Sequence, residues 1–520
     1  MTAAHFQVIS FGCKVNQVEG EALAARLRGF GLVESPPGAP ADLVIVNTCA
    51  VTAEAARQCR QRVRRAVREG AAVVVTGCAA HPAADAAMAA IAGVLLVDPD
   101  KDRAAEGIAC LSASRLIKKR VQDPFSDGLV GRSKSSQAKG EKGHGASANG
   151  VCGRVKKGPG PFLSSDEIGL VAGSPAPQRK GPGPFSGGPF SGDLEAGVSA
   201  RARALLKVQD GCPAACAYCI VPKVRPGLWS MPPGEASRRV GELVAAGFHE
   251  IVLCGIHLGL YGAGLEPRSA LADLVGRLSA AQGDFRIRLS SIEPMEATDA
   301  LLERMAAEPQ RLCPHLHLPL QSGDDEVLRR MGRPYTAAEF LGVIGRVRKM
   351  LPLAAITTDV MVGFPGETEG AFERTLAACR AAGFSRIHVF SFSRRPGTAA
   401  AGMSPQAPRE VIRARRARAA ALGDELAAAY RRGLVGREAR VVVEKVSADG
   451  SAEGLCERYV RVRIRSPRVP SGAGCFARRQ LISVRIAGAE GDCLIGELLG
   501  GENSAPVAGN SLHAGRPRVS

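Results

Sequence analysis

Three cysteines crowd into one short stretch, Cys212, Cys216 and Cys219, spaced Cys-x3-Cys-x2-Cys with Tyr218 just before the last. Thiolates are soft ligands that suit iron–sulfur clusters, and a four-iron cluster ordinarily takes four of them. Three, with no fourth Cys or His nearby in sequence, leave one iron open to a substrate or cofactor. A closed zinc site would ask for four ligands, usually as two Cys-x2-Cys-like pairs, so ligand count favours the cluster. A second set is dispersed. Cys13, Cys49 and Cys78 each follow a short apolar run: Phe6–Ser10, Leu43–Val46 and Val73–Val75. A single cysteine is more often a small buried hydrophobe. Three at equivalent strand ends point instead to ligands, because an open parallel sheet gathers its ligands at that edge. They are expected to meet and hold a second cluster with a free iron. Cys59 and Cys110 lack this pattern, and Cys254, Cys313 and Cys379 read as core residues.

These thiols need elements to position them. Between the first three strands, Glu19–Phe30 and Ala53–Glu69 read as helices, so residues 4–112 form a parallel, Rossmann-like α/β layer. From 201 onward six apolar strands recur: Ala204–Val208, Glu250–Cys254, Phe285–Leu289, His315–Leu318, Ala355–Met361 and Arg386–Phe390. Helical patterns lie between them, such as Pro233–Ala246 and Ala337–Met350. The result is a partial (β/α)6 barrel with function at the C-terminal strand ends. Pro408–Arg432 is a long basic helix carrying Arg413, Arg415, Arg416 and Arg418; it closes a core of residues 201–433 and suits a solvated face or RNA contact equally. Residues 434–500 turn to short strands, Ala439–Glu444, Tyr459–Ile464, Leu481–Ile486 and Cys493–Leu498, expected to close into a small all-β barrel with basic tips suited to an RNA backbone. Residues 113–200 are rich in Gly, Ser, Pro and Lys, with Lys157–Phe162 repeated as Lys180–Phe185. Such composition reads as a disordered basic insertion, with Cys152 unligated. Residues 501–520 read as a disordered tail.

The chain has 520 residues, 45% of them hydrophobic, and a formal net charge of +18. That balance favours a polyanionic partner, nucleic acid first. Fifteen cysteines, odd in number and partly at ligand spacing, fit metal use in a reducing cytoplasm better than a disulfide scaffold. No signal-peptide pattern opens the chain. No apolar run approaches the roughly 20 residues of a membrane helix, so no membrane partner is expected.

The Cys212–Cys219 spacing resembles the signature of radical S-adenosylmethionine enzymes. More specifically, Gly12-Cys13-Lys14-Val15-Asn16-Gln17, Asn47-Thr48-Cys49, Thr76-Gly77-Cys78, Val208-Gln209-Asp210-Gly211-Cys212 and Gly363-Phe364-Pro365-Gly366-Glu367 resemble the radical-SAM methylthiotransferases, over nearly all of the chain except 113–200 and the tail. The resemblance implies an N-terminal methylthiotransferase domain, a radical-SAM barrel and a C-terminal TRAM barrel. It implies two [4Fe-4S] clusters, one on Cys13, Cys49 and Cys78 and one on Cys212, Cys216 and Cys219, with S-adenosylmethionine on the open iron of the latter. Around that cofactor, Tyr218 could stack on adenine, Gln321 and Ser322 could bond a ribose or amino-acid moiety, and Glu293 could contact it or cap its own loop. Gly363, Phe364, Pro365 and Gly366 form a tight turn suited to close backbone approach. His257 and His388 read as structural, and no side chain is singled out as a general base.

Within the family, Gly12–Gln17 and Gly255-Ile256-His257-Leu258-Gly259 look most like the subgroup that adds a methylthio group to C2 of N6-threonylcarbamoyladenosine beside the tRNA anticodon. The implied partners are the tRNA anticodon stem-loop and an electron donor such as flavodoxin or ferredoxin, for a cytoplasmic monomer. The alternatives are isopentenyladenosine in tRNA, an aspartate of a ribosomal protein, or a non-enzymatic RNA-binding Fe–S protein. One departure stands out. Where the family usually has Arg-Gly-x-x-Arg-Ser, this chain has Arg225-Pro226-Gly227-Leu228-Trp229-Ser230, with its only Trp in place of an Arg.

Overall fold

The computed structural model describes residues 4–113, 201–465 and 476–499, except 37, 51 and 99. The expected insertion with Cys152, the expected tail and the Cys110 side chain lie outside the described residues. The chain divides into two compact units, Met1–Ala427 and Ala428–Ser520.

The first unit opens with a five-stranded, all-parallel sheet: β1 His5–Ser10, β2 Val33–Glu34, β3 Leu43–Thr48, β4 Ala72–Gly77 and β5 Val94–Val97. Its order is β2-β1-β3-β4-β5. Every residue of β3 and β4 is buried, as expected for strands covered on both faces. Leu23 and Leu27 of α1 (Lys14–Gly29) and Ile108 of α4 (Lys101–Ala113) pack on Phe6, Ile45 and Val74. On the other face, Val63 and Ala66 of α2 (Ala53–Arg68) and Met88 of α3 (Ala86–Ala89) pack on Val44, Val46 and Val75. The strand order reverses between β1 and β3, and there the carboxyl ends of the strands open a crevice. β2, β5 and α4 extend the sheet beyond the elements expected from sequence.

The same unit continues with six parallel strands: β6 Ala204–Lys207, β9 Glu250–Cys254, β10 Arg286–Leu289, β11 His315–His317, β12 Ala355–Val362 and β13 Arg386–Ser391. Their order is β6-β9-β10 and β11-β12-β13, bridged between β10 and β11 only by isolated pairs, including Ile287 with Leu312 and Ser291 with His317. Between β6 and β9 lies a short antiparallel ribbon, β7 (Gln209–Asp210) with β8 (Trp229–Ser230). At the amino end of β9 and β10, Glu250 is fully buried against Arg286 and Arg288, each 1% exposed. This end of such a barrel carries stability rather than chemistry.

The second unit is a closed barrel in the order β14-β15-β16-β18-β17: β14 Glu438–Val446, β15 Ala452–Cys456, β16 Arg461–Ile464, β17 Leu481–Glu490 and β18 Cys493–Leu498. Sequence reading named four of its strands; β15 is the fifth, and its pairing with β14 and β16 completes the closure. Inward Val462 and Ile464 alternate with outward Arg461 and Arg463.

Candidate functional site

At the crevice of the first sheet, each of the three strand-end cysteines is held by hydrogen bonds between neighbouring loops. Cys13 caps α1, and its Sγ accepts from the Asn16 N–H at 3.5 Å. The Asn16 amide donates to the carbonyls of Phe11 at 2.7 Å and Thr48 at 3.0 Å, while the Asn47 amide donates to the Asn16 carbonyl at 2.7 Å. Thr48 Oγ1 donates to the Thr76 carbonyl at 2.7 Å and accepts from Ala79 N at 3.1 Å. The loops bearing Cys13, Cys49 and Cys78 are thereby tied into one edge. Gly12 has φ +90°, and a Cβ there would lie 2.2 Å from Cys49 Sγ; only glycine permits both the backbone and the approach. Burial, and then the neighbouring Cys78, push the Cys13 thiol up, with Arg225 acting the other way.

The second set sits on the loop after β7. Gln209 Nε2 donates to the carbonyls of Asp210 and Gly211, each at 2.8 Å, and its Oε1 accepts from His257 N at 2.8 Å. Gly211 has φ +80°, and a Cβ there would lie 1.8 Å from the Gly227 carbonyl oxygen. The three thiols see one another: burial lifts Cys219 to about 11, with Cys216 and Cys212 adding to the rise. Two further groups engage them. His257 Nδ1 lies 3.3 Å from Cys212 Sγ, and its Nε2 lies 2.6 Å from Glu296 Oε1. Burial works to lower the His257 pKa, but those two hydrogen bonds carry it up to about 10. Arg333 Nη1 donates to Cys216 Sγ at 3.4 Å, and the same guanidinium pairs with Glu293.

One residue links the two sets. Arg225, downstream of Cys219, donates from Nε to Cys78 Sγ at 3.4 Å. It also binds Glu19 of α1 in bidentate fashion, at 2.8 and 2.7 Å, and Asp210 at 3.0 Å. Lys207 and Lys101 complete this buried cluster on Glu19, at 2.6 and 2.8 Å. Burial works against the Glu19 charge, but the three cations hold its carboxyl well below the usual range. The departures after Arg225 fit this geometry. Cys212 N bonds the Arg225 carbonyl at 3.3 Å, Trp229 pairs with Asp210 in the ribbon, and the Lys207 ammonium lies 6.0 Å from the Trp229 ring centroid.

The cofactor residues expected from sequence fall into two groups. Tyr218 is partly buried and packs against a cluster that includes Phe364 and Phe392; burial pushes its phenol well up. Glu293 is bound by Arg333, and Gln321, in the loop beyond β11, takes the left-handed backbone, φ 64°, a conformation few non-glycine residues adopt. The others are committed inward. Ser322 is fully buried, with its Oγ 3.2 Å from Thr375 Oγ1 and accepting from Asp324 N. Phe364 is fully buried, edge-on to Phe392 at 5.5 Å. Gly363 N donates to the Glu367 carboxylate at 2.7 Å, and Pro365 lies in the same turn. That carboxylate also anchors Arg415 of the long helix Arg409–Arg432 at 2.8 Å, while Arg418 pairs with Glu369 and Glu373. Two of the four arginines marked for RNA contact are therefore clamped onto the barrel. Cys59, Cys254, Cys313 and Cys379 are buried core residues. Sequence reading assigned no role to Glu19, Arg225 or Arg333; each stands among other polar or charged residues, and no local pattern marks it.

Each triplet offers soft thiol donors that are not engaged in disulfides. Among the described residues no three His, Cys, Asp or Glu side chains converge as a single metal ion requires. A cubane takes one thiolate per iron, so its ligands need not converge on one point, and the donor chemistry of both triplets fits such a cluster.

Residues 5–97 match the family described as Uncharacterized protein family UPF0004, and residues 206–379 match the Radical SAM superfamily. A threonylcarbamoyladenosine tRNA methylthiotransferase MtaB of Thermotoga maritima is 31% identical, covering 88% of this chain and 90% of that protein. A tRNA-2-methylthio-N(6)-dimethylallyladenosine synthase of Frankia alni is 33% identical, covering 92% and 85%. Among solved structures, the radical S-adenosylmethionine methyltransferase TsrM of Kitasatospora setae matches at 14% identity and a TM-score of 0.48, covering 77% of each chain.

Proposed function

We propose a function from one premise: the chain belongs to the radical-SAM methylthiotransferase family. It is an enzyme that transfers a methylthio group, and the substrate we assign is N6-threonylcarbamoyladenosine beside the tRNA anticodon, modified at C2. The observation that carries this reading is the pair of cysteine triplets, tied together by Arg225, in a chain whose relative named for that substrate matches over nearly its full length.

In this reading Cys212, Cys216 and Cys219 hold one [4Fe-4S] cluster, and Cys13, Cys49 and Cys78 hold the other. The cofactors, when bound, supply the one-electron chemistry that an unactivated aromatic C–H demands and that amino-acid side chains lack. The chain's own residues position and screen. Gln209 and His257 fix the Cys212 loop. Arg333 places positive charge at Cys216, and Glu293 keeps that guanidinium oriented. Tyr218 and Gln321 line the cofactor side. Glu19, Asp210 and Lys207 hold Arg225 against Cys78, so the two triplets keep a fixed separation. The target base must leave its stack to reach them. The small barrel is assigned to the RNA backbone, an electron donor of the flavodoxin or ferredoxin kind to the supply of electrons, and the cytoplasm as the compartment. Among the described residues no helix is long and apolar enough to cross a membrane.

A second substrate, dimethylallyladenosine in tRNA, is favoured by one observation: a relative named for it is equally similar. The test is anaerobic reconstitution with iron, sulfide, S-adenosylmethionine and dithionite, followed by mass spectrometry of nucleosides from tRNAs bearing each precursor. Methylthio-threonylcarbamoyladenosine is the expected product. Its absence alongside methylthio-dimethylallyladenosine would transfer the assignment to the second substrate.

A further inference from the structure

Helix α2 carries six arginines in its 16 residues. Four are occupied: Arg57 pairs with Glu54, Arg60 with Asp85, and Arg62 and Arg65 with Glu69. Arg64 and Arg68 are exposed and one helical turn apart, and among the described residues neither makes a hydrogen bond or ion pair. With Arg57 and Arg60 they line a surface groove of about 690 Å³ between α2 and the segment before β5. Val67 and Ile91 give the groove an apolar lining. Apolar surface rimmed by arginine is the composition of a protein–protein contact. Glu54 and Glu69 stand among these arginines and would repel a continuous phosphate backbone, whereas the mixed surface of a protein can match them.

The apolar lining leads toward one of the triplets. Ile91 belongs to a buried cluster with Cys59, Val63 and Met88, and Ile220, 1% exposed, packs in that same cluster, with Val224 against it. Ile220 directly follows Cys219. The short helix Val221–Val224 therefore rests on the cluster that backs the groove. Its exposed Lys223 adds a cation there. Lys223 Nζ donates to the Gly397 carbonyl at 2.6 Å, a neutral partner that leaves the charge uncancelled. The crevice lies elsewhere. Helix α2 starts beyond Cys49 at the carboxyl edge of the sheet and runs back about 24 Å toward the amino edge. Arg64 and Arg68 thus lie away from the place where a base would be modified. A nucleobase cannot cross the packed cluster in between; an electron can.

We propose that this groove, with Lys223 on the adjoining helix, docks a small acidic one-electron carrier protein that reduces the cluster on Cys212, Cys216 and Cys219. The inference rests on the methylthiotransferase reading, which requires that electron. The carrier loses one electron and the cluster gains it; no bond forms or breaks, and no proton moves. Redox encounters of this kind are small, under about 1,200 Å² of buried surface, and complementary charge steers them. Arg64, Arg68 and Lys223 are the cations left uncancelled for that purpose.

The test uses the full chain with both clusters reconstituted, and flavodoxin and ferredoxin as carriers in parallel. The Kd for each oxidised carrier is measured by surface plasmon resonance at low and high salt. Arg64→Glu/Arg68→Glu should raise the Kd of the tighter carrier by about tenfold or more, because two attractive charges become repulsive. High salt should shrink that difference. The same double variant should slow cluster reduction by the reduced carrier, followed by electron paramagnetic resonance, and leave reduction by dithionite unchanged. Arg64→Lys/Arg68→Lys keeps both charges and should bind the carrier nearly as the parent does. Unchanged carrier binding in Arg64→Glu/Arg68→Glu overturns the proposal, as does a parent that binds neither carrier. A loss of tRNA binding by filter assay with carrier binding intact also overturns it and gives the groove to RNA. If the substrate reading is wrong, tRNA goes unmodified while carrier binding and its dependence on the two arginines persist.

Discussion

At the scale of single residues, the chemistry lies in six thiols and the few groups that touch them. The six stood out in the sequence because spacing and strand-end position are local patterns. Their partners did not, because no pattern announces that Glu19 and Arg225, far apart in the chain, will share one buried ion pair at 2.7 Å. Cys216→Ala should abolish deoxyadenosine formation from S-adenosylmethionine, measured by chromatography after dithionite reduction; retained cleavage would remove Cys216 from the ligand set. Gly12→Ala should cost about 1–3 kcal/mol from the backbone conformation alone. Its Cβ would also displace Cys49 Sγ, so the variant should lose roughly half of the bound iron, one of two clusters. Thermal unfolding and iron analysis measure both effects, and a fully loaded, equally stable Gly12→Ala protein would refute the crowding.

At the scale of elements, the strands were legible because apolar runs of four to six residues between turns are strong signals. The start of α1 was not. Its N-cap is a cysteine rather than Ser, Thr, Asp or Asn, and its first turn, Lys14-Val15-Asn16-Gln17, carries no apolar period. That turn is spent on site geometry: Asn16 is 1% exposed and bonds three backbone carbonyls. β15 was missed for a similar reason, since Ala452-Glu453-Gly454-Leu455-Cys456 is poor in β-branched residues. Gly454 is needed there because a Cβ would lie 2.1 Å from the Val442 carbonyl oxygen. Arg415 takes neither expected role, a solvated face or RNA contact, because Glu367, in the Gly363–Glu367 turn, needs a cation once buried.

The buried base of the barrel makes a second prediction at this scale. Burial opposes the Glu250 charge, but Arg288 and Arg286 outweigh it and hold the carboxyl far below its ordinary range. A carboxylate with a depressed folded pKa stabilises fully above its unfolded value of about 4.3. That contribution fades as pH falls toward the folded pKa. Stability should therefore be flat near neutrality in this respect and decline below about pH 4. Glu250→Gln removes the buried carboxylate that Arg203, Arg286 and Arg288 share and should cost about 3–5 kcal/mol. Urea unfolding at pH 7 and in acid checks both; a Glu250→Gln protein as stable as the parent at pH 7 would contradict the account.

At the scale of the whole molecule, a net charge of +18 and a barrel strand with outward Arg461 and Arg463 fit a polyanionic substrate. Binding of tRNA should weaken steeply with salt, log K falling linearly with log salt concentration. The double variant Arg461→Gln/Arg463→Gln should flatten that slope by about two phosphate contacts, measured by filter binding. An unchanged slope would place the RNA elsewhere. Charge and composition pointed to nucleic acid from the sequence alone, but they do not say which base is modified.

The central claim is that the two cysteine triplets serve one reaction, delivery of a methylthio group to threonylcarbamoyladenosine in tRNA. Mass spectrometry of nucleosides, after anaerobic turnover of the reconstituted chain with tRNA carrying that base, tests it most directly. The account predicts a methylthio-threonylcarbamoyladenosine peak that depends on S-adenosylmethionine and disappears in both Cys49→Ala and Cys216→Ala. A peak that survives Cys49→Ala would contradict it.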